Sequence, residues 1–118
     1  DTSQLSNVKF RIPQTLNFTA GSNELDLEMR NTLDRLKETF KIHDGTIVIE
    51  GNGDKENEWV LAFGRAMATR NYLVSQLRID PDKLVPSAPY LINTKGKMEF
   101  DSYSKHKVRF VLKRVREK

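Results

Sequence analysis

The chain has no cysteine, which excludes disulfides and thiolate metal ligands. Its only histidines, His43 and His106, are not arranged as H-x-x-x-H, so we expect neither a metal site nor a cofactor. The phosphate-binding patterns G-x-G-x-x-G and G-K-[ST] are absent. No pattern places a serine beside a histidine and an acid, so we do not expect an enzyme.

Long apolar segments are also absent, and no run of about 18 apolar residues could cross a bilayer. The 118 residues are 37% hydrophobic and 31% charged, which is typical of one folded domain. We expect a single domain over 1–118, with a core at 8–115 and flexible ends at 1–7 and 116–118. Because the chain begins at Asp1 without a leader, we expect any anchor to precede this segment.

The positive charge is concentrated at one end of the chain. Seven basic residues and one acid lie between Lys105 and Lys118, which gives +6 there and leaves −2 for the remainder of a chain with net charge +4. Such a segment can attract nucleic acid, anionic lipid or an acidic partner. We favour a solvated edge strand whose lysines block edge pairing. Nucleic acid is not expected as a partner, because no RNP-like or GXXG motif is present.

The periodicity of apolar residues predicts both helices and strands. Alternation predicts strands at 8–12 and 108–112, a β-branched run predicts another at 46–50, and Leu84–Val85 can begin a fourth. A hairpin turn is predicted around Gly96. The β-α-β-α-β-β order favours an α/β (α+β) sandwich, in which one mixed sheet carries both helices on one face.

Two helices are predicted between these strands. Asp26 is an N-cap candidate for a helix that ends near Lys41. A second helix should extend from about Glu56 to Leu77, with two apolar stripes that we place in the core. The first helix has one stripe, formed by Met29, Leu33, Leu36 and Phe40, and the stripes of the second are Leu61, Ala62, Ala66, Thr69 and Leu73, and Trp59, Phe63 and Met67.

The stretch from Thr46 to Ala66 contains the strongest functional signal. The strand ends in Gly51-Asn52-Gly53-Asp54, and Arg65 lies about two turns into the next helix. An acid and an arginine facing one space suit a zwitterion, since the carboxylate can bind an ammonium group and the guanidinium a carboxylate. The alternative is a carboxylate near a helix N-terminus and a surface arginine.

This stretch resembles the OmpA/MotB-type C-terminal peptidoglycan-binding domain. In that family a strand ends in G-H-T-D, and L-S-x-x-R-A follows on a helix; here Gly51 to Asp54 and Leu61 to Ala66 occupy those positions. The segments Leu16–Leu36, Ile79–Leu84 and Ser104–Leu112 are similar to further parts of the family. The resemblance implies a βαβαββ fold.

The resemblance also implies a ligand, the diaminopimelate of the peptidoglycan stem peptide. Asp54 would take its ammonium and Arg65 its carboxylate. Gly53 and Asn57 would add backbone or amide contacts, and Lys105 and Lys107 would face an anionic group. Glu58 stands where the family has an asparagine, so it is either a first-turn helix acid or an extra charge in the site.

The implied function is a non-catalytic periplasmic domain that anchors a lipoprotein or an envelope complex to the cell wall, associated with the outer membrane through a preceding part. The alternative is a degenerate domain that binds no peptidoglycan and serves as a structural module in an envelope or secretion assembly. In that case its contacts with other envelope proteins would use the stripe of Trp59, Phe63 and Met67 or the basic end.

Overall fold

A computed structural model describes residues 5–89, 91–92, 98–99 and 103–117. The predicted turn around Gly96 lies outside these residues. No helix in the described ranges is long and apolar enough to span a membrane. A one-turn 3-10 helix lies at Pro81–Lys83. The elements in chain order are β1 (Leu5–Arg11), β2 (Leu16–Asn17), α1 (Leu27–Ile42), β3 (Thr46–Gly51), α2 (Trp59–Ser75), β4 (Leu84–Ser87), β5 (Leu91–Ile92), β6 (Met98–Glu99) and β7 (Lys107–Glu117).

The main sheet has five strands, in the order β1-β7-β3-β4, with β2 also paired to β7. Strand β7 is antiparallel to β1, β2 and β3, whereas β3 and β4 are parallel. Both helices pack on one face of this mixed sheet, so the predicted fold class is confirmed. Strands β5 and β6 form a separate antiparallel pair.

The basic end of the chain lies in the centre of the sheet, so the expectation of an edge strand was wrong. Strand β7 pairs with β1 on one side and with β3 on the other, beginning at Leu5 opposite Glu117. The reason is its apolar alternation: Val108, Phe110 and Leu112 are all buried in the core. The residues that alternate with them, Arg109, Val111 and Lys113, then lie on the opposite face of the sheet.

Helix α1 has the predicted cap and the predicted buried face. The Asp26 carboxylate accepts a hydrogen bond from the Met29 N–H at 2.9 Å, which satisfies one of the free donors of the first turn. The Phe40 ring packs against Phe110 of β7, with ring centroids 5.2 Å apart. All four predicted stripe residues, Met29, Leu33, Leu36 and Phe40, are buried.

Helix α2 buries one of its two predicted stripes. Ala62, Ala66, Thr69 and Leu73 are buried, and Leu61 is partly buried. Burial of the second stripe was wrongly predicted, because Trp59 and Phe63 are 39% and 44% exposed. The small residues Ala62 and Ala66 face the end of β3. The side of the helix that carries Trp59 and Phe63 therefore faces outwards. The helix also begins later than predicted, after Asn57 in a left-handed conformation with φ 65°.

Gly51 allows the end of β3 to approach α2 closely. A Cβ atom at this position would collide with the carbonyl oxygen of Ala62. The absence of a side chain at Gly51 therefore allows a strand to pack against a helix backbone. This contact fixes the position of the Asn52–Asp54 loop, which follows directly.

Candidate functional site

Three loops meet at one end of the sheet, beside the N-terminal half of α2. They are the turn at 19–22, the loop at 52–54 and the turn that contains His106, and we call this place the loop junction. Backbone hydrogen bonds join them: the His106 N–H donates to Gly53 O at 2.9 Å, and the Phe18 N–H donates to His106 O at 2.7 Å. The junction therefore has a defined backbone frame for the side chains it holds.

Arg65 occupies the centre of the loop junction with none of its side chain exposed. Its Nη2 lies 2.8 Å from Asp54 Oδ1. The guanidinium carbon lies 5.4 Å from the centroid of the Phe18 ring. The alternative of a surface arginine was therefore wrong. The guanidinium also donates to three backbone carbonyls, from Nε to Ser22 O (2.8 Å), from Nη1 to Asn52 O (2.8 Å) and from Nη2 to Thr19 O (3.0 Å).

Asp54 is the counter-ion of Arg65 and remains partly accessible, with 19% of its side chain exposed. Its Oδ1 also lies 2.6 Å from His106 Nδ1, and its Oδ2 accepts the Gly21 N–H at 2.6 Å. Burial by itself would raise the pKa of Asp54, but the hydrogen bonds from Arg65, Gly21 and His106 and the charge of Arg65 outweigh it and lower that pKa. Asp54 is therefore ionised at neutral pH.

His106 also belongs to the site, through a contact with Asp54 that the sequence did not predict. Its φ of 67° turns the chain just before β7 and brings the imidazole to Asp54. Because Asp54 is ionised, Nδ1 carries the hydrogen of this bond. The sequence offered one signal, a histidine between two lysines at the start of the last strand, but the left-handed turn was not readable from it.

Glu58 occupies the N-cap position of α2, but its side chain makes no capping bond. Its Oε1 instead accepts the backbone N–H groups of Asp54 and Lys55, at 2.8 and 2.9 Å. The interpretation as a first-turn helix acid was therefore wrong, whereas an extra charge beside the site stays a prediction. The side chain closes the short loop on itself, and a Cβ at Gly53 would lie 2.7 Å from Glu58 Cβ. Gly53 is thus required for this closure.

The remaining predicted residues surround the junction. Gly53 is buried, Asn57 and Lys105 are exposed, and Lys107 Nζ donates to Tyr103 O at 3.2 Å. Within the described ranges, Asn57 and Lys105 form no hydrogen bond or ion pair with Asp54. The structure thus brings together Asp54, Arg65 and Gly53 and leaves the others on the rim.

This arrangement can bind a cation more readily than an anion. The polar atoms of both side chains have internal partners, but the Asp54 carboxylate is partly exposed, whereas the Arg65 guanidinium is not exposed at all. A ligand carboxylate can reach Arg65 only if the turn at 19–22 or Asn52 moves away. No cluster of three or more histidines and acids able to hold a metal ion exists among the residues that the structure describes.

Solved structures share this fold. The OmpA-like domain of FopA1 from Francisella tularensis is 15% identical, with a TM-score of 0.60 over 98% of this chain and 79% of that one. The C-terminal domain of Helicobacter pylori MotB is 17% identical, with a TM-score of 0.61 over 82% and 81%. The peptidoglycan-associated lipoprotein of Burkholderia pseudomallei is 20% identical, with a TM-score of 0.57 over 86% and 89%.

The chain therefore has the fold of the OmpA-like domains, as its sequence predicted. In sequence it matches no protein-family description and no curated protein.

Proposed function

We propose that this chain is a non-catalytic cell-envelope domain that binds the diaminopimelate-containing stem peptide of peptidoglycan. One observation carries the proposal: an ionised, partly exposed carboxylate, Asp54, lies where three loops meet in an OmpA-like fold. The likeness to a peptidoglycan-associated lipoprotein supports the choice of ligand. Diaminopimelate supplies the ammonium that such a carboxylate would bind.

Asp54 and Arg65 would have different roles in binding. Asp54 would receive the ligand ammonium at its exposed edge, next to His106. Arg65 keeps Asp54 ionised, and it would bind the ligand carboxylate after releasing a backbone carbonyl such as Ser22 O. Gly53 would hold the loop in place, and Asn57 would contribute from the loop rim.

Lys105 and Lys107 would contribute charge at the outer edge of the site. Lys105 is exposed, and Lys107 is held at the start of β7 by its bond to Tyr103 O. Both would attract the anionic groups of the wall polymer, with a screened and therefore modest effect. We propose that the domain works in the periplasm, where it would anchor an outer-membrane lipoprotein or an envelope complex, and many weak contacts along the polymer would give avidity.

A second candidate function is a structural module that binds other envelope proteins and no peptidoglycan. The observation that favours it is that Arg65 has no exposed side-chain surface and that each of its side-chain nitrogens already has an internal acceptor. The outward-facing Trp59 and Phe63 would then form the contact surface on α2, because exposed aromatic patches often mark interaction sites.

Titration of the isotope-labelled domain with a diaminopimelate-containing stem peptide separates these candidates. We expect saturable amide shifts at Gly21, Asp54 and His106, and their loss in Asp54→Asn. Glu56→Gln, which removes an exposed carboxylate two residues away, should bind like the wild type. A folded spectrum that is unchanged at about millimolar peptide would instead favour the structural module.

A second ligand tests the role of Arg65 without mutating it. A stem peptide with lysine in place of diaminopimelate keeps the ammonium and lacks the carboxylate beside it. If Arg65 opens to bind that carboxylate, the lysine peptide should bind at least about tenfold more weakly, a difference of about 1.4 kcal/mol. Equal affinities would restrict recognition to Asp54 and contradict the role of Arg65.

A further inference from the structure

The face of the sheet opposite the helices forms a shallow groove of about 380 Å³. Its side chains are those that alternate with the core residues along β1, β3 and β7. We call it the open face, defined by Lys9, Arg11, Val48, Glu50, Val111 and Lys113. It is separate from the loop junction, because none of these residues contacts Asp54 or Arg65.

The floor of the open face is apolar. Val111 of β7 pairs with Val48 of β3, which in turn pairs with Val85 of β4. Val85 is 42% exposed, whereas Val111 is 8% exposed although both helices lie on the other face. Arg11 is the register partner of Val111 on β1, and long charged side chains commonly pack their apolar stems over such surface.

The rim of the open face carries more positive than negative charge. Glu50 lies 2.9 Å from Arg11 Nη2 and 3.9 Å from Arg109 Nε, so two arginines surround one carboxylate. The open face contains three basic residues, Lys9, Arg11 and Lys113, and one acid, Glu50, so its net charge is +2. The neighbouring Arg109 adds a further positive charge beside Glu50. An acidic partner would therefore be attracted to it.

Two of these cations oppose each other directly. Lys9 of β1 is the register partner of Lys113 of β7, and among the described residues neither lysine forms an ion pair. Like charges in register across an antiparallel pair destabilise a sheet. The domain thus tolerates a repulsion that the carboxylates of a bound partner would relieve.

We propose that the open face docks an acidic amphipathic helix of a partner protein. An apolar stripe on that helix would pack on Val48, Val85 and Val111 and complete a helix-sheet-helix arrangement, the usual way in which a sheet covers both faces. Acidic residues flanking the stripe would meet Lys9 and Lys113. A phosphate polymer would match the charge but would leave the valine floor uncovered, so we favour a helix.

The test uses a synthetic helix of about five turns, with a leucine stripe flanked by glutamates, added to the isotope-labelled domain. We expect saturable amide shifts centred on Val48, Val111 and Lys113. Lys113→Glu, and independently Lys9→Glu, should weaken binding at least about tenfold without lowering the melting temperature. Lys37→Glu on α1 makes the same change in net charge away from the open face, and it should bind within about twofold of the wild type.

Three outcomes would overturn this proposal. The first is equal binding of a peptide with the same composition in scrambled order, which would mean that charge alone is recognised. The second is tighter, Lys113-dependent binding of an oligonucleotide or of phosphatidylglycerol vesicles at the same ionic strength, which would change the class of partner. The third is the absence of shifts at about millimolar peptide with a folded spectrum.

Discussion

The loop junction and the open face each contain an arginine–carboxylate pair, and the two pairs differ mainly in burial. Arg65 lies 2.8 Å from Asp54, and Arg11 lies 2.9 Å from Glu50. Arg65 is fully buried, whereas 46% of the Arg11 side chain is exposed. Distance therefore does not rank the two pairs; burial and the number of additional hydrogen bonds decide how much stability depends on each.

The two regions also differ in charge balance. At the loop junction the charge of Arg65 is matched by Asp54 and by three carbonyl dipoles. On the open face Lys9 and Lys113 face each other without a described acidic neighbour. The buried pair of Arg65 and Asp54 stabilises the fold, whereas the exposed lysines Lys9 and Lys113 are available to bind an acidic partner.

The largest expected effect comes from removing the buried arginine. Arg65→Ala leaves Asp54 without its counter-ion and three carbonyls without a donor, so we expect a loss of about 3–5 kcal/mol in the free energy of unfolding. Arg11→Ala, the matched exposed case, should cost at most about 1 kcal/mol. Urea denaturation measures both, and equal losses would contradict the comparison. Because Arg65→Ala should lower stability this far, it is not a clean test of ligand binding.

Gly51→Ala should have the next largest effect. The new Cβ would meet the carbonyl oxygen of Ala62 and force β3 and α2 apart beneath the junction, at a cost of about 1–3 kcal/mol. At Gly21 no atom lies within 4 Å of an added Cβ, but φ is +73°, so Gly21→Ala should cost about 1–2 kcal/mol. The melting temperatures of the two variants would rank these effects. An unchanged melting temperature in Gly51→Ala would contradict the close packing of β3 against α2.

Acid should weaken the loop junction. The pKa of Asp54 is lowered in the folded state from its usual 3.8, so its contribution is complete above that value and disappears as pH falls through the folded-state pKa. We therefore expect stability to fall below about pH 4 in the wild type, and less steeply in Asp54→Asn. Urea midpoints measured across this range would test it, and identical slopes would contradict the ionised Asp54.

The smallest expected effect is a gain in stability on the open face. Lys113→Glu replaces the repulsion with Lys9 by attraction, which should add about 0.2–1 kcal/mol to the free energy of unfolding. Lys37→Glu on α1 should not show this gain. A loss of stability in Lys113→Glu, measured at low salt, would mean that the opposed lysines do not repel appreciably.

The sequence predicted the helices and strands well because the spacing of apolar residues specifies which face of each element is buried. The stripe on α1 and the alternation on β7 each specify one buried face, and the structure buries both. The position of β7 in the centre of the sheet was not predicted, because strand order depends on pairing between distant segments. The exposure of Trp59 and Phe63 was also not predicted, since the helix pattern alone does not say which stripe meets the sheet.

The candidate site was predictable only in part. The sequence paired Asp54 with Arg65, and the structure places them in contact. The burial of Arg65 has no sequence signature, because its other three acceptors are backbone carbonyls from two loops. His106 reaches Asp54 through a left-handed turn, and Glu58 folds back onto the loop backbone; both depend on local geometry rather than residue type.

The most direct test of the central claim is the affinity of a diaminopimelate stem peptide for the wild type and for Asp54→Asn, measured side by side by amide NMR. The claim predicts saturable binding at the loop junction of the wild type, with shifts at Gly21 and His106. It also predicts at least about tenfold weaker binding by a variant whose spectrum shows that it is folded. Equal binding by both proteins, or no binding by a folded wild type, would contradict the proposed role of Asp54.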